Sequence, residues 1–148
     1  MNAIDRFPLN PAQRALVEEY HDLESSEDRL AWLMERPSLH AAVSTEHLTD
    51  ANKVPGCLSG LWLHGEVHEG RCAFGAKSES DMVQGISSFI CDLYSSRTPD
   101  EVLEIGDALV SVLMLERLLS TTRKRAVSST VAYILHTARE ASGHKIAV

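Results

Sequence analysis

From Leu61 to Glu66 the chain alternates with period two: Leu61, Leu63 and Gly65 point one way while Trp62, His64 and Glu66 point the other. On both sides of this stretch the apolar residues return mainly to helical spacing, so a short strand must pair locally and cover its apolar face with helices. Glu69 and Gly70 supply the turn, and the pattern predicts a second strand over Arg71–Phe74 that Gly75 ends. Upstream, Asn10, Pro11 and Gln13 open a helix expected to run to about Asp22 or Leu23. Ser25 and Asp28 open a second, carrying Leu30, Trp32, Leu33 and Met34 and stopped by Pro37. Ser38 to Pro55 has no period and reads as a long ordered loop of a kind that often carries function. Downstream, Glu79 and Asp81 form the acidic first turn of a long helix with the stripe Met82, Ile86, Phe89, Ile90 and Leu93, ending near Ser95. Thr98, Pro99 and Glu101 cap the next helix, Gly106 and Asp107 punctuate it, and residues 108–119 continue as apolar helix. The last helix is expected over 123–141, with Val127, Val131, Ile134 and Leu135 inward and Gly143 as its stop. The expected class is α+β, a small antiparallel β-sheet flanked by helices.

A chain of 148 residues reads as a single domain over 1–148. Its 44% hydrophobic and 24% charged fractions, with a mean hydropathy of -0.11, argue against a disordered or collagen-like chain. No stretch reaches the roughly 18 apolar residues of a membrane span, so no membrane partner is expected. The first ten residues carry Asp5, Arg6 and Pro8 instead of a basic segment followed by an apolar one, which points to a cytoplasmic location. Net charge is -7, with ten acids against five bases in residues 1–60 and eleven against nine in 61–148, so nucleic acid is not an expected partner. The short basic run Arg123, Lys124 and Arg125 reads as a solvated helix face.

Nucleotide-binding, zinc-protease and serine-hydrolase motifs are absent from the sequence. His64 and His68, four apart on one strand face, are weighed with Cys72 as metal ligands, against the reading that they are exposed polar positions beside a turn. The three cysteines have no CxxC spacing and are expected to be free thiols in a reducing compartment. Cys91 lies in a helical apolar stripe and Cys72 on a short strand, where a thiol serves as a small hydrophobe. Cys57 follows Pro55 and Gly56 at a loop-to-strand junction, a setting that suits a reactive thiol.

The segment from Val54 to Trp62, VPGCLSGLW, closely resembles the cysteine loop of the SufE family of sulfur-acceptor proteins. The likeness continues through Phe74, Gly75, Ser78, Glu79, Met82, Val83 and Gly85, through Tyr94, Thr98 and Pro99, and through Leu119, Ser120 and Arg123, spanning residues 11–141. Several ordered motifs make this far more specific than a lone Gly-Cys pair. Lys77 stands where an acid often precedes the serine, and Ala126 and Val127 replace a usual Gly-Leu.

The resemblance implies a protein that takes persulfide sulfur from a pyridoxal-phosphate cysteine desulfurase of the SufS type, stimulates it, and passes sulfur to an iron–sulfur scaffold complex. It implies a fold shared with IscU-type scaffolds, no cofactor in this chain, since pyridoxal phosphate belongs to the partner, and a carrier and activator rather than a stand-alone enzyme. Homodimerisation is left open. Cys57 matches the family's acceptor cysteine, and Glu79 and Arg123 are carried over as supporting groups. Arg123 then either favours the thiolate or pairs with an acid such as Glu79. Two other readings stand beside this one: an iron–sulfur or zinc scaffold holding its metal with Cys57, Cys72 and His64, and an adaptor that stimulates a desulfurase without carrying sulfur. The loop from Ser38 to Pro55, which leads into the cysteine, is the expected docking segment.

Overall fold

The computed structural model describes residues 3–36, 38–39, 43–56 and 60–143. Helix α1 (Pro11–Asp22) begins at a reciprocal cap: Asn10 Oδ1 accepts from the Gln13 N–H at 2.9 Å, and Gln13 Oε1 accepts from the Asn10 N–H at 3.1 Å. Helix α2 (Ser26–Glu35) is capped by Ser25, whose hydroxyl accepts from the Asp28 N–H at 3.0 Å. Of its expected apolar set Leu33 is buried, whereas Met34 is exposed. The segment that follows holds two short 3-10 turns, Thr45–His47 and Asp50–Asn52.

Strands β1 (Leu61–His68) and β2 (Arg71–Ser78) pair antiparallel from Leu61 opposite Ser78 to His68 opposite Arg71. The second strand therefore runs past the expected stop at Gly75. Cys72, Phe74, Ala76 and Ser78 alternate into the interior without interruption, and the ladder outweighs the roughly 0.5–1 kcal/mol that a strand glycine costs. The free edge of β2 is partly covered: Cys72 N–H donates to the Arg97 carbonyl at 2.7 Å, and Ser96 N–H donates to the Cys72 carbonyl at 2.8 Å.

Helix α3 (Asp81–Tyr94) starts one residue after its cap Ser80, so Asp81 lies in its first turn and Glu79 stands outside it, on the approach from β2. Tyr20 of α1 and Trp32 of α2 converge on Phe89 of α3, with ring centroids 5.5 and 5.4 Å away. Asp92 of α3 is buried and accepts from Arg36 Nη1 at 2.9 Å, the Ser38 hydroxyl at 2.9 Å and the Leu39 N–H at 3.0 Å, which ties the exit of α2 to the core. Helix α4 (Pro99–Ile105) carries the expected reciprocal cap of Thr98 and Glu101.

The apolar helix expected over 108–119 is broken instead. Helix α5 (Ala108–Leu113) ends at Met114 in the left-handed conformation, and a 3-10 turn, Leu115–Leu118, follows. Leu113 and Leu115 are both buried while Met114 is half exposed. Residues two apart lie about 200° round an α-helix, so burying both requires the break. Helix α6 (Thr121–Ser142) closes the chain's described part and ends at Gly143, with Val127, Val131 and Ile134 buried as expected and Leu135 half-buried. It packs against β1 as α3 packs against β2, and the inward sheet face, α3 and α6 share one apolar cluster.

Candidate functional site

Just before β1 the chain runs antiparallel to it: Lys53 bridges to Trp62, and the Val54 N–H donates to the Leu61 carbonyl at 2.7 Å. The chain entering and leaving the segment of Cys57 is thereby held side by side at Val54 and Leu61. Gly56 and Gly60 have φ of +76° and +69°, a left-handed backbone that favours glycine at both places.

The Gly60 end is fastened by a chain of hydrogen bonds. The buried Ser78 hydroxyl donates to the Gly60 carbonyl at 2.7 Å and accepts from the Ser80 N–H at 3.2 Å. The Ser78 N–H donates to Gln84 Oε1 at 2.7 Å, and Gln84 Nε2 donates to the Ala76 carbonyl at 2.9 Å and to Ser88 Oγ at 2.8 Å. A β-carbon at Gly60 would stand 3.2 Å from the Trp62 ring and 3.3 Å from Glu79 Oε1. The Trp62 ring in turn carries the Lys53 ammonium 5.2 Å from its centroid. At the other end a β-carbon on Gly56 would come within 2.7 Å of Arg125 Nη1. Cys57 itself lies outside the described residues, as do Leu58 and Ser59.

The two supporting groups expected from the sequence lie on different elements. Glu79 stands beside Gly60, whereas Arg123, in the first turns of α6, donates from Nη1 to Met82 Sδ at 3.2 Å. Glu79 precedes the α3 cap, and Arg123 reaches Met82 in the first turn of α3. Beside the Gly56 end lies a cleft of about 520 Å3, lined among others by Asn52, Lys53, Pro55, Leu63, Arg125 and Tyr133. Lys53, Gln84 and Arg125 were not singled out by sequence reasoning. Lys53 and Arg125 meet the loop through contacts across the fold, and the short basic run that contains Arg125 gives no sign of which arginine faces it.

The metal-ligand set weighed from the sequence is split by the sheet. Cys72 lies opposite Val67 in the register and points with Leu61 and Leu63 into the interior, whereas His64 and His68 occupy the other face. The scaffold reading that joins Cys72 to His64 is corrected on the same ground. The His64 ring stacks on His47, centroids 3.6 Å apart and 12° between planes, with Glu66 3.5 Å from Nε2. Among the described residues no group of three or more histidines, cysteines or acids is arranged to hold a metal ion. Cys72 and Cys91 are free and buried, as expected for packing residues. Burial pushes both thiols up, Cys91 most strongly, with Asp92 adding to the effect.

The family model described as "SufE: Fe-S metabolism associated domain" matches residues 14–138. Among curated proteins, a chloroplastic quinolinate synthase of Arabidopsis thaliana is 33% identical over 91 residues, 61% of this chain but 13% of that protein. The chloroplastic SufE-like protein 2 of Arabidopsis thaliana is 29% identical over 93 residues, covering 62% of this chain and 36% of that protein. An uncharacterised SufE-like protein of Rhizobium etli is 26% identical over 130 residues, 84% of this chain and 87% of that one. The chain thus spans only a small part of the quinolinate synthase it matches. Among solved structures, the solution structure of a hypothetical protein from Thermus thermophilus superposes with a TM-score of 0.67 at 19% identity, over 91% of this chain and 98% of that one, a likeness of fold.

Proposed function

The chain belongs to the SufE family, a domain associated with iron–sulfur metabolism, and from that premise we propose that it accepts persulfide sulfur on Cys57 from a pyridoxal-phosphate cysteine desulfurase, stimulates that enzyme, and delivers the sulfur to an iron–sulfur scaffold complex. The observation that carries this reading is the family match over residues that include Cys57, whose described flanks are joined by the Val54–Leu61 bond and held by Ser78 at Gly60. The described backbone on both sides of Cys57 is thus tied to the fold.

The chemistry is thiol–disulfide exchange with a persulfide as donor. The Cys57 thiolate attacks the outer sulfur of the donor persulfide and forms a new S–S bond. The donor's own S–S bond breaks, its electron pair leaves with the donor cysteine, and that thiolate takes up the proton Cys57 gave up. No outside oxidant or reductant is consumed. A persulfide is safe on such a carrier only where no neighbouring thiol resolves it into a disulfide, and Cys72 and Cys91 are held in the interior with raised thiol pKa values.

Desulfurase turnover with and without the protein tests the reading. Wild type should raise turnover, and Cys57→Ser should return it to that of the desulfurase alone. Full stimulation by Cys57→Ser would instead favour the adaptor that carries no sulfur.

A further inference from the structure

We propose that the stacked pair His47 and His64 is a proton-sensitive latch that holds the turn Thr45–His47 on the outer face of the sheet and releases it when both rings are charged. Every group in it lies among the described residues, and it works the same whether or not Cys57 carries sulfur.

The strand sets one half of the pair. His64 follows the buried Leu63, so the alternation of β1 turns its ring to the outer face with Trp62 and Glu66. The other half comes from the turn Thr45–His47, and the rings meet face to face, centroids 3.6 Å apart and 12° between planes. Asn52 Nδ2 donates to the His47 carbonyl at 2.8 Å, which joins this turn to the next, Asp50–Asn52, and Lys53 at the end of that turn bridges to Trp62. The two turns thus meet β1 at neighbouring positions of one face, Trp62 through backbone pairing and His64 through the rings.

Protons act on the second contact. Imidazole is the side chain that changes charge between about pH 5 and 8. A charged ring packs well on the negative face of a neutral one, whereas two charged rings at this separation repel. Each ring has one acid near it: Glu46 Oε1 is 3.4 Å from His47 Nε2, and Glu66 Oε2 is 3.5 Å from His64 Nε2. Both carboxylates are well exposed and screened by water, whereas His64 Nε2 is buried and makes no hydrogen bond among the described residues. On the same face β2 adds Lys77 opposite Trp62 and Arg71 opposite His68, and the following turn adds Asp50 and Lys53, the latter 5.2 Å from the Trp62 centroid. Helix α6 reaches β1 with the Tyr133 hydroxyl, which accepts from the Gly65 N–H at 3.0 Å. The open turn therefore binds more protons than the closed one, so closure is complete at neutral pH and above and weakens as pH falls. The released turn lies within residues 38–55, the expected docking segment, so a partner's hold there would weaken in acid along with it.

Hydrogen–deuterium exchange with mass spectrometry tests the latch on peptides covering residues 44–54, whose amides bond within the two turns and to β1. Exchange is followed from about pH 7.5 to about pH 5 and divided by the intrinsic rate at each pH. Wild type should lose about tenfold in protection there while α3 keeps its own, which separates local opening from unfolding. His47→Phe and His64→Phe each keep a stacking ring and remove one of the two charges, so each should lose less than about threefold. Unchanged protection of α3 in both variants checks that they fold. A wild type that keeps full protection at the acid end would overturn the latch. Either variant opening as far as wild type would overturn it too, and would assign the acid response to Glu46 and Glu66.

Discussion

Ser78 joins three pieces of backbone through one buried hydroxyl, which donates to the Gly60 carbonyl and accepts from the Ser80 N–H. Removing it leaves both groups without that partner inside the fold. Ser78→Ala should therefore cost about 1–2 kcal/mol, read as a lower denaturation midpoint at unchanged slope, with Ser78→Thr closer to wild type. An unchanged midpoint in Ser78→Ala would mean that water replaces the hydroxyl without loss. At this scale the sequence was informative where a residue's setting is local. The apolar flanks of Cys72 and Cys91 point to packing, and both are buried. It was uninformative where the partner is distant: nothing in the run Arg123, Lys124, Arg125 says that Arg125 meets Gly56, 69 positions away by the numbering, while Arg123 turns to Met82.

Helix starts were legible because a cap involves only four neighbouring residues, as at Asn10, Ser25 and Thr98. The Thr98 cap carries a pH dependence. Glu101 Oε1 accepts from the Thr98 N–H at 2.9 Å, and this backbone bond, ahead of the Thr98 hydroxyl, Arg97 and Arg71, holds its carboxyl below the ordinary range against the opposing effect of desolvation. The folded chain then binds that proton less readily than the unfolded chain. The stabilisation is complete above the ordinary carboxylate pKa and is lost as pH falls through the lower folded value. Glu101→Gln keeps an acceptor oxygen and removes the titration. It should be less stable than wild type at neutral pH by a few tenths of a kcal/mol, about what a solvent-screened carboxylate supplies, and approach wild type in acid, so that its acid limb in melts is flatter. An acid limb as steep as wild type would assign the dependence elsewhere. The full length of β2 and the break after α5 were not legible, since both are decided across the fold: one by the ladder to β1, the other by the need to bury Leu113 and Leu115 together.

Across the whole molecule, the described flanks of Cys57 lie where three separate parts meet. The segment carrying Lys53 pairs with the start of β1, β2 with the approach to α3 fastens Gly60, and α6 brings Arg125 to Gly56. The α+β arrangement followed from one alternating stretch among helical ones. The family likeness was readable from the ordered motifs around Cys57, and the match over residues 14–138 bears it out. The proposed function depends above all on Cys57 carrying the sulfur. Intact-protein mass spectrometry after incubation with a pyridoxal-phosphate cysteine desulfurase and cysteine addresses this without intermediate steps, comparing wild type with Cys57→Ser. The expected result is a gain of one or more sulfur masses, about 32 Da each, that reductant removes and the substitution abolishes. A wild-type protein that gains no sulfur beside an active cognate desulfurase, or a Cys57→Ser protein that still gains it, would refute Cys57 as the carrier.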